Sequence, residues 1–193
     1  MLDVGCGGNS PLGRFAQRPP YSVGVDLYEP WLAESRVKAI HDEYRELDVR
    51  RLGEHFEAAS FDVVLACDLL EHLEREDGAR LLEAIARIAR RRIVILTPNG
   101  YVPQEATWGN PLQVHRSGWT VEEMRTLGYA VEGVNGLRAF RGPCGTIRRR
   151  PRFIWGKAAR ASEPLVRRFP RLAFHILCVK DLVARPMSAR AAA

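Results

Sequence analysis

The sequence predicts an α/β fold, a mostly parallel sheet in a three-layer α/β/α arrangement. Three observations predict it. Strand-sized apolar runs alternate with helix-period segments from the first residue onward. One of those runs, Phe61–Cys67, is nearly continuous in apolar residues, as suits a strand buried on both faces. The first strand also runs straight into Gly5-Cys6-Gly7-Gly8, at the place where an open α/β sheet presents a ligand site.

The elements follow in order. Leu2–Val4 reads as a strand end. Ser10 followed by Pro11 reads as an N-cap with proline at the first helical position, where its missing N–H costs nothing. Ser22–Leu27 is a second strand. Pro30 opens a helix reaching about Ile40. Tyr44–Leu47 is a third strand and Phe61–Cys67 a fourth. Leu81, Leu82, Ile85, Ile88 and Ala89 fall at helical spacing, with Arg90–Arg92 expected to end that helix near its negative terminus. Ile93–Leu96 is a fifth strand, and residues 98–118 form a long loop. Thr120 and Glu123 make a capping box for a helix to about Leu127. Tyr129–Val134 and Ala173–Val179 are the last strands. No clear helical period joins them, so antiparallel pairing is open to them, with a short helix near Lys157–Arg168. A single domain over 1–185 is expected, with a basic insertion at 136–172 and a disordered tail at 186–193.

Composition bounds the function. The 193 residues suffice for one sizeable core, and 46% hydrophobic with 27% charged residues excludes a wholly disordered chain. No apolar run approaches the roughly 20 residues of a membrane helix, and the N-terminus has no secretory pattern. Four scattered cysteines form no CxxC pair, which points to a reducing cytoplasm. The net charge of +6 hides an acidic first part and a basic last third. The cluster Arg148, Arg149, Arg150 and Arg152 could meet nucleic acid or an anionic membrane. It lacks regular aromatic interleaving, and a solvated surface is the favoured reading.

The glycine turn lets a ligand approach the backbone without a side chain between. Asp26 follows at the end of the next strand, where a carboxylate can accept both hydroxyls of a ribose. Together they indicate a nucleoside-containing cofactor. The dinucleotide pattern GxGxxG would need glycine where Ser10 stands, which counts against a nicotinamide-dependent oxidoreductase.

The wider motif set is Leu-Asp-Val-Gly-Cys-Gly at 2–7, Val-Gly-Val-Asp at 23–26, Leu-Asp-Val at 47–49, Phe-Asp-Val-Val-Leu at 61–65, Leu-Leu-Glu-His-Leu at 69–73 and Ile-Val-Ile-Leu-Thr-Pro-Asn at 93–99. In this order it resembles the class I S-adenosylmethionine-dependent methyltransferases, type 11 small-molecule group. The resemblance implies a Rossmann-like sheet of order 3-2-1-4-5-7-6 with strand 7 antiparallel. It implies a methyltransferase using S-adenosyl-L-methionine on a small-molecule acceptor. Asp3, Gly5 and Gly7 would surround the methionine part of the cofactor, Asp26 the ribose, Asp48 and the Val49 N–H the adenine, and Cys67 the sulfonium region. His72 and His115 are the candidate catalytic bases. The run Asp68-x-x-Glu71-His72 is similar to one that can hold a divalent metal in ubiquinone-biosynthesis O-methyltransferases, but no metal site is expected here. Asn9 stands where the family commonly has a third glycine. The chain also opens almost inside the first motif, which predicts a truncated first strand and keeps a non-catalytic relative as the alternative.

Overall fold

The computed structural model describes residues 1–183; the expected tail at 186–193 lies outside them. The strands form one seven-stranded sheet of order 3-2-1-4-5-7-6, as the resemblance implied. The described residues divide into two compact units, one built from 1–69, 75–95 and the end of the last strand, the other from 70–74 and 96–179.

In the first unit, β1 (Leu2–Val4) pairs in parallel with β2 (Val23–Asp26) on one side. All three of its residues are buried, which requires apolar side chains on both faces and a partnered one at Asp3. The proline after Ser10 opens only a 3-10 turn, Pro11–Arg14, not a longer helix. Helix α1 (Glu29–Val37) starts at the Pro30 signal and stops before Ile40, because Ala39 is left-handed at φ 48°. β3 (Glu43–Glu46) pairs with β2, and a short helix α2 (Leu52–His55) follows it. β4 (Phe61–Cys67) keeps its predicted bounds and pairs in parallel with β1.

Helix α3 (Arg75–Ile88) buries Leu81, Leu82, Ile85 and Ile88, the predicted apolar stripe. The arginines do not end it. Ala89 and Arg90–Arg92 instead begin β5 (Ala89–Pro98), which is much longer than predicted. Arg90 pairs with Asp62 of β4 and Arg92 with Asp181 at 2.6 Å, so strand partners and not the helix terminus take these charges. Both carboxylates are distant in sequence, which is why periodicity placed the boundary wrongly.

In the second unit, the Thr120–Glu123 capping box forms as read and opens α4 (Val121–Thr126). β6 (Ala130–Leu137) and β7 (Ala173–Asp181) pair antiparallel. The basic segment between them holds two helices, α5 (Arg152–Ala161) and α6 (Glu163–Arg168), where one was predicted; Pro164 suits a first turn and starts the second. A Cβ on Gly133 of β6 would lie 2.3 Å from the Val166 carbonyl, so glycine there is what lets α6 pack directly on the strand.

Candidate active site

The first candidate site lies where β1 and β2 end. Gly5 and Cys6 N–H groups both donate to the Val25 carbonyl, at 2.8 and 3.0 Å, which fixes the turn to the neighbouring strand. Gly5 (φ 68°) and Gly7 (φ 55°) are left-handed, a conformation that disfavours a Cβ. Asn9 does not use its tolerance for that region. The Asp26 carboxylate closes the turn. Oδ2 accepts the Gly7 N–H and Oδ1 the Tyr28 N–H, each at 2.8 Å. Burial pushes this carboxyl above its usual range, and donation from the Tyr28, Gly7 and Leu27 N–H groups pulls it part of the way back.

Asp3 lies beneath the turn, 1% exposed. Its Oδ2 accepts the Ser10 hydroxyl at 2.5 Å and faces His41 Nε2 at 2.9 Å. A carboxylate only accepts, so Nε2 carries the hydrogen. His41 Nδ1 is buried with no hydrogen-bond partner among the described residues. Ser10 also caps the following turn, accepting the Leu12 N–H at 3.1 Å. Ser10 was read only as a cap, and no motif marked His41. Folding brings Asp3, Ser10 and His41 together from positions that no local pattern links.

Asp48 and Val49 follow β3. The Leu47 N–H donates to the Asp26 carbonyl at 3.0 Å, so the exit of β3 lies against that of β2. Asp48 accepts the Arg50 N–H and its guanidinium, which holds its carboxyl below the ordinary value. Val49 is buried at the start of the next turn. Cys67 ends β4, and Asp68 beside it is left-handed at φ 50°. Burial pushes the thiol of Cys6 up, which leaves it a packed apolar group.

The second candidate site lies in the other unit. Glu71 is 2% exposed and accepts the Thr97 hydroxyl at 2.9 Å. Its backbone carbonyl accepts the Arg116 and Ser117 N–H groups at 2.7 and 3.1 Å, which ties the long loop to the segment after β4. The rings of His72 and His115 meet edge to face at 4.8 Å. His115 Nδ1 lies 2.6 Å from the Val102 carbonyl, and His72 Nδ1 3.3 Å from that of Val114. Both predicted histidines therefore converge, joined by Glu71, which the sequence singled out only within the Asp68-x-x-Glu71-His72 run. The basic cluster Arg148, Arg149, Arg150 and Arg152 is exposed, with Arg149 stacked 4.8 Å over the Trp155 ring.

The strand order and the turn that joins Gly7 to Asp26 define a fold class, that of the class I S-adenosylmethionine-dependent methyltransferases. Within it, residues 2–97 match the family model described as "Methyltransferase domain". Two similar curated proteins are both named ubiquinone biosynthesis O-methyltransferase. The one from Hahella chejuensis is 37% identical over 94 residues, 47% of this chain and 38% of its own length. The one from Paracidovorax citrulli is 33% identical over 107 residues, 53% of this chain and 41% of its own. The chain thus spans about two fifths of the length of these relatives. Among solved structures, a SAM-dependent methyltransferase from Archaeoglobus fulgidus superposes with TM-score 0.60 at 18% identity, covering 94% of this chain and 85% of that one. One from Mesorhizobium loti gives TM-score 0.57 at 19% identity, covering 94% and 90%. Among the described residues no helix is long and apolar enough to cross a membrane.

Proposed function

We propose that the chain binds S-adenosyl-L-methionine at the Gly5–Gly7 turn and transfers its methyl group to an oxygen of a small-molecule acceptor. The acceptor class rests on the relatives' names. One observation carries the cofactor reading. A carboxylate offers about four lone-pair positions, and Asp26 takes N–H donors from Gly7, Tyr28 and Leu27. The acceptor capacity left over, at the ends of two neighbouring strands, suits a ribose hydroxyl. Asp3 serves this site by holding Ser10 and His41 rigid under the turn. Asp48 and the Val49 N–H are the adenine partners in this reading, and Cys67 borders the reactive end.

The cofactor supplies an activated methyl on a sulfonium; the protein positions and desolvates. A hydroxyl acceptor must lose its proton, and His72 and His115 offer basic Nε2 atoms, because each Nδ1 faces a carbonyl and so carries the hydrogen. The four cysteines, none in a disulfide, support a reducing cytoplasmic setting. Calorimetric titration tests the reading. S-adenosylhomocysteine should bind and NAD should not. Asp26→Ala should weaken binding by about 1–3 kcal/mol. NAD binding alone would sink the assignment.

A further inference from the structure

We propose, resting on the reading of His115 as a base, that Arg138 is the positioning residue for that imidazole. Its guanidinium ties down the start of the long loop and so fixes the carbonyl that holds the ring. Arg138 follows β6 and is exposed, yet both terminal nitrogens are bonded to backbone. Nη1 donates to the Asn99 carbonyl at 2.6 Å and Nη2 to the Tyr101 carbonyl at 2.9 Å. Gly100, between them, is left-handed at φ 74°. One end of this bridge is anchored. The Asn99 N–H donates to the Phe174 carbonyl at 2.9 Å. The Asn99 side-chain amide faces the carbonyls of Pro170, Arg171 and Ala173 at 3.2, 3.0 and 3.2 Å. The guanidinium therefore ties Tyr101 to a fixed point.

The bridge fixes more than two carbonyls. A peptide unit is planar, so holding the Tyr101 carbonyl sets the plane that leads into Val102. Val102 is buried, and its own carbonyl lies 2.6 Å from His115 Nδ1. A carbonyl only accepts, so this contact keeps the hydrogen on Nδ1 and the basic lone pair on Nε2. His115 is also held through its backbone. Its N–H donates to the Gln104 carbonyl at 3.0 Å, and its carbonyl accepts the Tyr101 hydroxyl at 3.4 Å. Those bonds place the residue; the Val102 carbonyl selects which ring nitrogen is basic. The bridge needs a planar fork. A lysine keeps the charge but offers one compact ammonium, without the fixed pair of donors that spans two carbonyls.

The test is nitrogen-15 NMR of the histidine rings of the chain without added ligand, well above the ordinary imidazole pKa of about 6.5, where the rings are neutral. The wild type should show His115 as the Nδ1–H tautomer, with its two ring-nitrogen shifts far apart. Arg138→Lys and Arg138→Met should each draw those shifts toward one another as the second tautomer becomes populated. The signals of His41 and His55 should stay in place. If Arg138→Met does not fold, Arg138→Lys with an unchanged circular dichroism spectrum decides the matter. A wild-type His115 pattern in the folded Arg138→Lys variant overturns the proposal. So does equal movement of every histidine ring, or a wild-type His115 with its hydrogen on Nε2. The readout needs neither cofactor nor acceptor, so its failure is distinct from a failure of methyl transfer.

Discussion

The turn after β1 and the cluster after β4 are built from different materials. The first is backbone closed by carboxylates: glycine N–H groups, Asp26 above and Asp3 below. The second is side chains closed by backbone: two imidazoles and a carboxylate, each held by a carbonyl or a hydroxyl. A backbone site depends on local geometry, and one residue with a Cβ disturbs it. A side-chain site depends on distant segments staying together.

The largest expected effect falls on the buried end of the first site. Asp3→Ala leaves the Ser10 hydroxyl and the buried His41 N–H without an acceptor and should lower stability by about 3 kcal/mol. Glu71→Gln keeps an oxygen for Thr97 and should cost only about 1 kcal/mol. Urea midpoints of the two variants compare them directly, and equal losses would erase the contrast. Gly7→Ala comes next. It forces a Cβ into a left-handed conformation and should cost about 1–2 kcal/mol. It should also reduce S-adenosylhomocysteine binding, read by calorimetry. Unchanged binding would move the cofactor away from this turn.

Acidity sharpens the comparison within the first unit. Burial raises Asp26, so the unfolded chain gives up that proton first. Its contribution to stability falls as pH climbs from the ordinary value of about 3.9 to the higher folded value. Asp48 is depressed by Arg50. Its stabilisation is present above the ordinary value and is lost as pH falls through the lower folded value. Carboxyl NMR titration should place Asp26 above Asp48, and the reverse order would remove burial as the governing cause. The smallest effect lies outside both sites. Arg149→Ala removes one stacked guanidinium from Trp155 and should cost about 0.5 kcal/mol by denaturant melts. Salt-sensitive binding to anionic vesicles or nucleic acid, lost on replacing Arg148, Arg149, Arg150 and Arg152 with Gln, would overturn the reading of that segment as solvated surface.

Much of the fold was legible. β4 and the buried stripe of α3 carry their information locally, as a continuous apolar run and a helical period. The capping box needed only residues three apart. The boundary between α3 and β5 was not legible, because Arg90 and Arg92 are satisfied by Asp62 and Asp181, neither of which a local window contains.

The same division separates the two sites. The sequence by itself determined the glycine turn and the acid one strand later, since β1 and β2 are neighbours and short-range order places Gly7 against Asp26. It marked His72 and His115 one at a time. Only the tertiary structure decided that these rings meet, that Glu71 joins them, and that His41 lies under Asp3. Those contacts join segments distant in the chain, and loop closure leaves no periodic trace in the residues it brings together.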